Sequence, residues 1–213
     1  SITATCLTSA FSNAASIPSE VPPMLRKFFS TALAAVLILF AGAVSADTSV
    51  QILNVAVILE PPLETFESPE KISAAVTQTV SKIFKNNSRF HVQSIDETAG
   101  EVQIYREENN LEGAALKKTD LDKICQNLGS DFVIYIRTTT TEVEASDPIG
   151  RKVNVVLDFR VWSNDKKDFT YTRRTTMTGT GYGYGAAADA VVAGFKKAVQ
   201  EVEKDASRVR AAM

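Results

Sequence analysis

The 213-residue sequence predicts an α/β (or α+β) fold: a mixed sheet with element order β-α-β-(α)-α-β-β-β-α, ending in an antiparallel meander and a closing helix. Three observations carry this. An apolar run, Gln51 to Leu59, is followed by a stripe of apolar residues at helical spacing, which is the start of a βα unit. Val153, Val155, Leu157, Phe159 and Val161 alternate strictly, as in a strand with one face in a core. Val191, Val192, Phe195, Ala198, Val199 and Val202 return to helical spacing near the end of the chain.

Taken in order, residues 1–23 carry no Lys or Arg and read as upstream translation ahead of Met24. Residues 24–46 have the layout of a signal peptide: Arg26 and Lys27, an uncharged run from Phe28 to Ala43, then Val44-Ser45-Ala46. Cleavage is expected between Ala46 and Asp47, leaving 47–213 as a single globular domain. The apolar run is shorter than the ~20 residues of a spanning helix. Its retention as a tether is the competing reading. No cysteine follows it to carry a lipid.

Gln51–Leu59 is a buried-strand candidate, closed by Pro61-Pro62. Ser68-Pro69 reads as an N-cap and first helical position. Ile72, Ala75, Val76, Thr79, Val80, Ile83 and Phe84 then follow on one helical face, and Asn86-Asn87 ends the helix. Phe90–Ile95 is a short strand. The polar segment 96–118 reads as a loop with one possible helix. Thr119 to Leu128 is a helix with Thr119 and Asp122 as a capping pair, an inward stripe of Leu121, Ile124, Cys125 and Leu128, and Gly129 as its stop. Phe132 to Val143, the alternating strand up to Trp162, and Phe169 to Thr180 form the meander, with turns at 147–150 and 163–167. Gly179–Gly185 (GTGYGYG) reads as a loop before the last helix, which starts at Ala186 and runs beyond Lys204.

Removing 1–46 lowers Lys+Arg from 23 to 21 and Asp+Glu from 25 to 24, a net charge of −3. That is no footprint for nucleic acid or for an anionic membrane surface. Only Cys125 remains, so no internal disulfide is available to an exported domain. No later apolar run is long enough to span a bilayer.

Asn54-Val-Ala-Val-Ile58, Leu128-Gly-Ser-Asp-Phe-Val-Ile134, the strand Val153–Trp162 and the helix Ala186–Val202 together resemble the small bacterial envelope domains of the TolB amino-terminal, CsgG and LpoB type. The resemblance covers most of residues 52–204. It implies a role in envelope assembly or binding, and it transfers no catalytic residue.

The residues themselves offer little chemistry. His91 is the only histidine and alternates outward between Phe90 and Val92. Cys125 lies on an apolar stripe, as a small hydrophobe does. The glycines of GTGYGYG match neither a dinucleotide fingerprint nor a Walker loop. Glu142, Glu144 and Asp158 read as surface charge rather than a paired acid and base. No catalytic residue, cofactor or metal is expected. Thr139, Thr141, Arg173 and Arg174 on the polar half of the meander, with Tyr182 and Tyr184 as exposed contacts, are the candidate binding residues. The expected function is a non-enzymatic, exported envelope protein, periplasmic or extracellular, that binds another protein or assembly. A small-ligand carrier and a carboxylate-dependent hydrolase of envelope polymer are the alternatives, to be favoured by an apolar pocket with convergent polar groups or by two facing carboxylates. Oligomeric state is left open by the sequence.

Overall fold

The strand covered on both faces is β1, Leu53–Glu60, whose LNVAVIL run is buried on both sides apart from the half-buried Asn54. The computed structural model describes residues 51–111, 113–143 and 149–213. The expected signal peptide and the Ala46/Asp47 cleavage site lie outside them, as do Glu144 and the turn residues Asp147 and Pro148.

After β1 the chain crosses one face of the sheet as α1, Pro69–Ile83, and enters β2, Phe90–Val92, parallel to β1. It then crosses the opposite face as α2, Ile95–Glu108, and α3, Lys118–Asn127, before β3, Phe132–Val143, pairs parallel to the other edge of β1. β4, Gly150–Ser163, and β5, Asp168–Tyr182, complete an antiparallel meander, giving the strand order β2-β1-β3-β4-β5. Helix α4, Ala186–Glu203, packs over the meander on the face that α1 also covers, and the short α5, Ala206–Ala211, follows. The predicted mixed sheet, meander and closing helix are all present.

Two cores result. On one face, Val55, Val57 and Leu59 meet the inward stripes of α1 and α4 and the alternating residues of β4. On the other, Ala56 and Ile58 meet Val102, Tyr105, Leu121, Ile124, Cys125 and Trp162. Every residue of the α1 stripe predicted from spacing is buried.

Several boundaries differ from expectation, each for a local reason. The strand predicted over 90–95 stops at Val92, because Ser94 starts a helix. Ser94 Oγ accepts from Glu97 N–H and Glu97 returns a 2.6 Å bond to Ser94 N–H, a complete capping box. The segment 96–118 is therefore mostly α2 rather than loop. α3 is capped by Asp120 accepting from Lys117 N–H at 2.7 Å, not by Thr119 with Asp122. Asp122 is held instead by Lys167 at 2.5 Å. Ser68 stands at the N-cap of α1, but its side chain makes no cap bond.

The closing helix breaks at Lys204–Asp205, where Asp205 accepts from the Tyr171 hydroxyl at 3.0 Å. GTGYGYG is not a loop throughout: β5 continues to Tyr182, and only Gly183 and Gly185, at φ of 74° and 79°, turn the chain. Among the described residues, no helix is long and apolar enough to cross a membrane.

Candidate binding face and the cavity at the end of the first strand

Helices cover both faces of the sheet around β1, but α2 and α3 reach only one end of the meander. There Trp162 and Phe169 meet edge to face at 5.5 Å, and the Arg160 guanidinium lies 5.3 Å from the Phe169 ring centre. Beyond Arg160 the face is open. Register arranges it in rows across β3, β4 and β5: Arg137, Asp158 and Arg174; Thr139, Val156 and Thr176; Thr141, Asn154 and Thr178. Thr178 Oγ1 donates to Asn154 Oδ1 at 2.6 Å, a cross-strand bond of the kind that steadies a polar sheet surface.

Charge on this face is one-sided. On β3, β4 and β5, Arg137, Lys152, Arg160 and Arg174 share it with one carboxylate, Asp158, among the described residues; Glu60, the β1 register partner of Arg137, lies on the same side and is paired with Arg106. Asp158 lies 3.6 Å from Arg160 and 3.8 Å from Arg174, whose side chain stays 69% exposed. An exposed contact of that length holds Arg174 weakly, ~0–1 kcal/mol.

Of the residues singled out in the sequence, Thr139, Thr141 and Arg174 therefore share the open face, and Tyr182 stands at its edge opposite Gly150. Tyr184 is fully exposed on the turn beyond. Arg173 is not with them. Thr170 is an extra residue opposite the Val161–Trp162 step, so Phe169 faces α3 while Tyr171 and Arg173 face α4. The bulge turns only Phe169 to the other side; Tyr171 and Arg173 stay together on the α4 face. Arg173 forms an ion pair with Asp205 and sits 3.7 Å from Glu201. The adjacent arginines do not form one positive pair; they lie on opposite sides of the sheet.

The hydrogen bonds from Arg173 and Tyr171 hold the Asp205 carboxyl below the usual carboxylate range. Burial first, then the contact with Asp205, pushes the Tyr171 phenol up. Cys125 is fully buried, its thiol donates to Ser130 O at 2.9 Å, and burial pushes its pKa up to about 12. His91 is exposed on β2. No group of three or more His, Cys, Asp or Glu residues among those described is placed to hold a metal ion.

The second feature is a cavity of about 480 Å³ at the carboxyl end of β1. β2 ends opposite Val55, while β1 continues to Glu60. Helix α2 lies where a longer β2 would run, and Thr98 Oγ1 donates to Val57 O at 2.5 Å in place of a strand partner. Because α1 leaves on one face and α2 on the other, this is a topological switch point, where open α/β sheets leave a crevice. Leu63, Ile95 and Val102 make the wall largely apolar. Glu60 and Arg106 also line it, both buried, joined at 2.7 Å from Nη2 to Oε1. Arg106 Nη1 donates to the carbonyls of Leu111 and Ala114. Glu60 Oε2 and Arg106 Nε have no hydrogen-bond partner among the described residues. Removing one member of such a pair leaves the other charge uncompensated, at a cost of ~3–5 kcal/mol. The sequence carried one signal for this site, an acid closing an apolar strand just before Pro61-Pro62. Arg106 gave none.

No family model and no curated protein matches the chain. It is similar to three solved structures among others. One is a hypothetical protein from Chlamydia trachomatis, at TM-score 0.41 and 12% identity over 74% of this chain and 98% of that one. Another is a lipoprotein from Neisseria meningitidis, at 0.38 and 12% over 76% and 99%. The third is the C-terminal domain of LpoB from Escherichia coli, at 0.30 and 12% over 65% and 91%. The LpoB part of the resemblance noted above is thus met again in the structures. At TM-scores below 0.5 this likeness carries no functional argument, and function is read below from geometry.

Proposed function

We propose that the chain is an exported, non-enzymatic envelope protein that binds a protein partner with an acidic surface on the open face of its meander. The carrying observation is that face: three strands wide, rich in Thr, uncovered by any described helix, and bearing four cations against Asp158 among the described residues, with the neighbouring Glu60 already paired to Arg106, on a chain of net negative charge. Complementary charge steers a partner and sets orientation, and Thr and Asn side chains supply hydrogen bonds without needing a pocket. Arg137 and Arg174 are the contacts of choice, with Thr139 and Thr141 beside them and Tyr182 and Tyr184 at the rim. Residues 24–46 direct export in this reading, and amino-terminal sequencing of exported protein should begin at Asp47.

A photocrosslinking residue at Thr139 should capture a protein in the native envelope. The same residue at Gln200, exposed on α4, should not. The double variant Arg137→Ser/Arg174→Ser should lose the Thr139 crosslink with an unchanged melting temperature. A crosslink that survives the double variant, or an equal one from Gln200, overturns the reading.

A further inference from the structure

We infer that the cavity at the carboxyl end of β1 is a binding site for a small molecule with an apolar body and one hydrogen-bond donor, the donor directed at Glu60. The cavity adjoins the protein-binding face, since Glu60 is the register partner of Arg137, but its test reads small-molecule binding alone. A volume of about 480 Å³ falls within the range of small-ligand sites, which are mostly apolar with a few placed polar groups. Here the placed polar group is a carboxylate with one oxygen in use. Glu60 Oε1 is taken by Arg106, while Oε2 is nine-tenths shielded with the rest of the side chain and has no partner. Arg106 is fixed by two carbonyls besides Glu60, so it stays in place, and the shielded Oε2 meets a ligand donor after a small rotation of the Glu60 carboxylate. A buried acceptor left unmatched is costly, and a ligand donor that meets it gains a charge-assisted bond in a dry site. Glu64 and Glu107 also line the cavity, so its lining is net negative beyond the Glu60–Arg106 pair and favours a donor such as an aryl amine or hydroxyl over an anion.

The wall also explains how such a site arises. A β2 continued past Val92 would occupy the space beside Ala56–Glu60. Its early end, set by the Ser94 cap, leaves the edge of β1 facing α2 across the gap. Ala99 is the half-buried α2 residue that lines this gap without touching the ion pair.

The probe is N-phenyl-1-naphthylamine, uncharged, with one N–H and a fluorescence that rises in apolar surroundings. Its isostere 1-benzylnaphthalene, with CH2 in place of the N–H, lacks the donor and serves as competitor. The full chain should bind the amine saturably. The hydrocarbon should compete about tenfold more weakly, the expected loss of one hydrogen bond to a buried charged group. Ala99→Trp should abolish binding with little change in melting temperature, which separates the cavity from apolar sites elsewhere in the chain. Amine binding that persists in Ala99→Trp, or equal affinity for amine and hydrocarbon, overturns the inference.

Discussion

Asp205 ties the last strand to the last helices. It accepts from the Tyr171 hydroxyl and pairs with Arg173, both on β5, while its own backbone joins α4 to α5. Its folded pKa is held below the ordinary value by those two partners. A carboxylate with a depressed folded pKa stabilises the fold above its unfolded value, about 4, and loses that contribution as pH falls through the folded value. Asp205→Asn should therefore lower the melting temperature by a few degrees at pH 7, and the gap to the parent should narrow towards pH 3. An equal gap at both pH values in thermal unfolding would show that the contact is not ionic. At this scale the sequence was legible where burial alone decides. Cys125, the α1 stripe and the β4 alternation all follow from spacing. The opposite sides taken by Arg173 and Arg174 follow from strand alternation; what the sequence did not mark is the bulge at Thr170, which turns Phe169 away from the face of Tyr171 and Arg173.

Between elements, the tightest fit is β5 against α4. Gly179 and Gly181 are two apart and so point to the same side of the strand, toward the helix. A Cβ on Gly179 would stand 1.8 Å from Ala190 O, and one on Gly181 2.0 Å from Ala186 O. Both obstacles are backbone, which cannot rotate away. Gly194 on α4 completes the approach, its Cβ position 3.1 Å from Gly179 N. Gly179→Ala or Gly181→Ala should cost roughly 3 kcal/mol or more, above the usual range for overpacking, since helix and strand must separate. Gly100→Ala, in the exposed interior of α2 with nothing within 4 Å, should instead gain ~0.5–1 kcal/mol. Urea denaturation of the three variants checks both signs, and a mild Gly179→Ala would mean the close approach is not required. The run GTGYGYG looked like a loop because glycine density is a turn signal. The strand period within it, 179 and 181, is the same signal seen on a packed face. α2 was hidden for a related reason: its buried positions, Ile95, Thr98, Val102, Tyr105 and Arg106, have helical spacing but include Thr and Arg, so no apolar stripe marks them.

Across the whole molecule, coverage falls from one side of the sheet to the other. β1 has helices on both faces, β2 on one edge through Val55 and β3 on the other from Val55 onward, and no residue from Val55 to Ile58 more than 2% exposed. β5 is an edge strand with α4 on one face and, beyond Phe169, solvent on the other; its 15-residue length is a pairing liability that its arginines and the Thr170 bulge offset. Local opening free energies scale with such burial. Amide hydrogen exchange should be slowest in Val55–Ile58 and Phe132–Ile136 and faster by orders of magnitude in Thr139–Val143 and along β5. A partner on the open face should slow exchange in those meander segments and leave β1 unchanged. A ligand at the end of β1 should do the reverse, slowing Leu59, Glu60 and the first turns of α2. Uniform protection across the sheet would contradict the gradient. Protection that always moves at both places together would mean that face and cavity are parts of one coupled site.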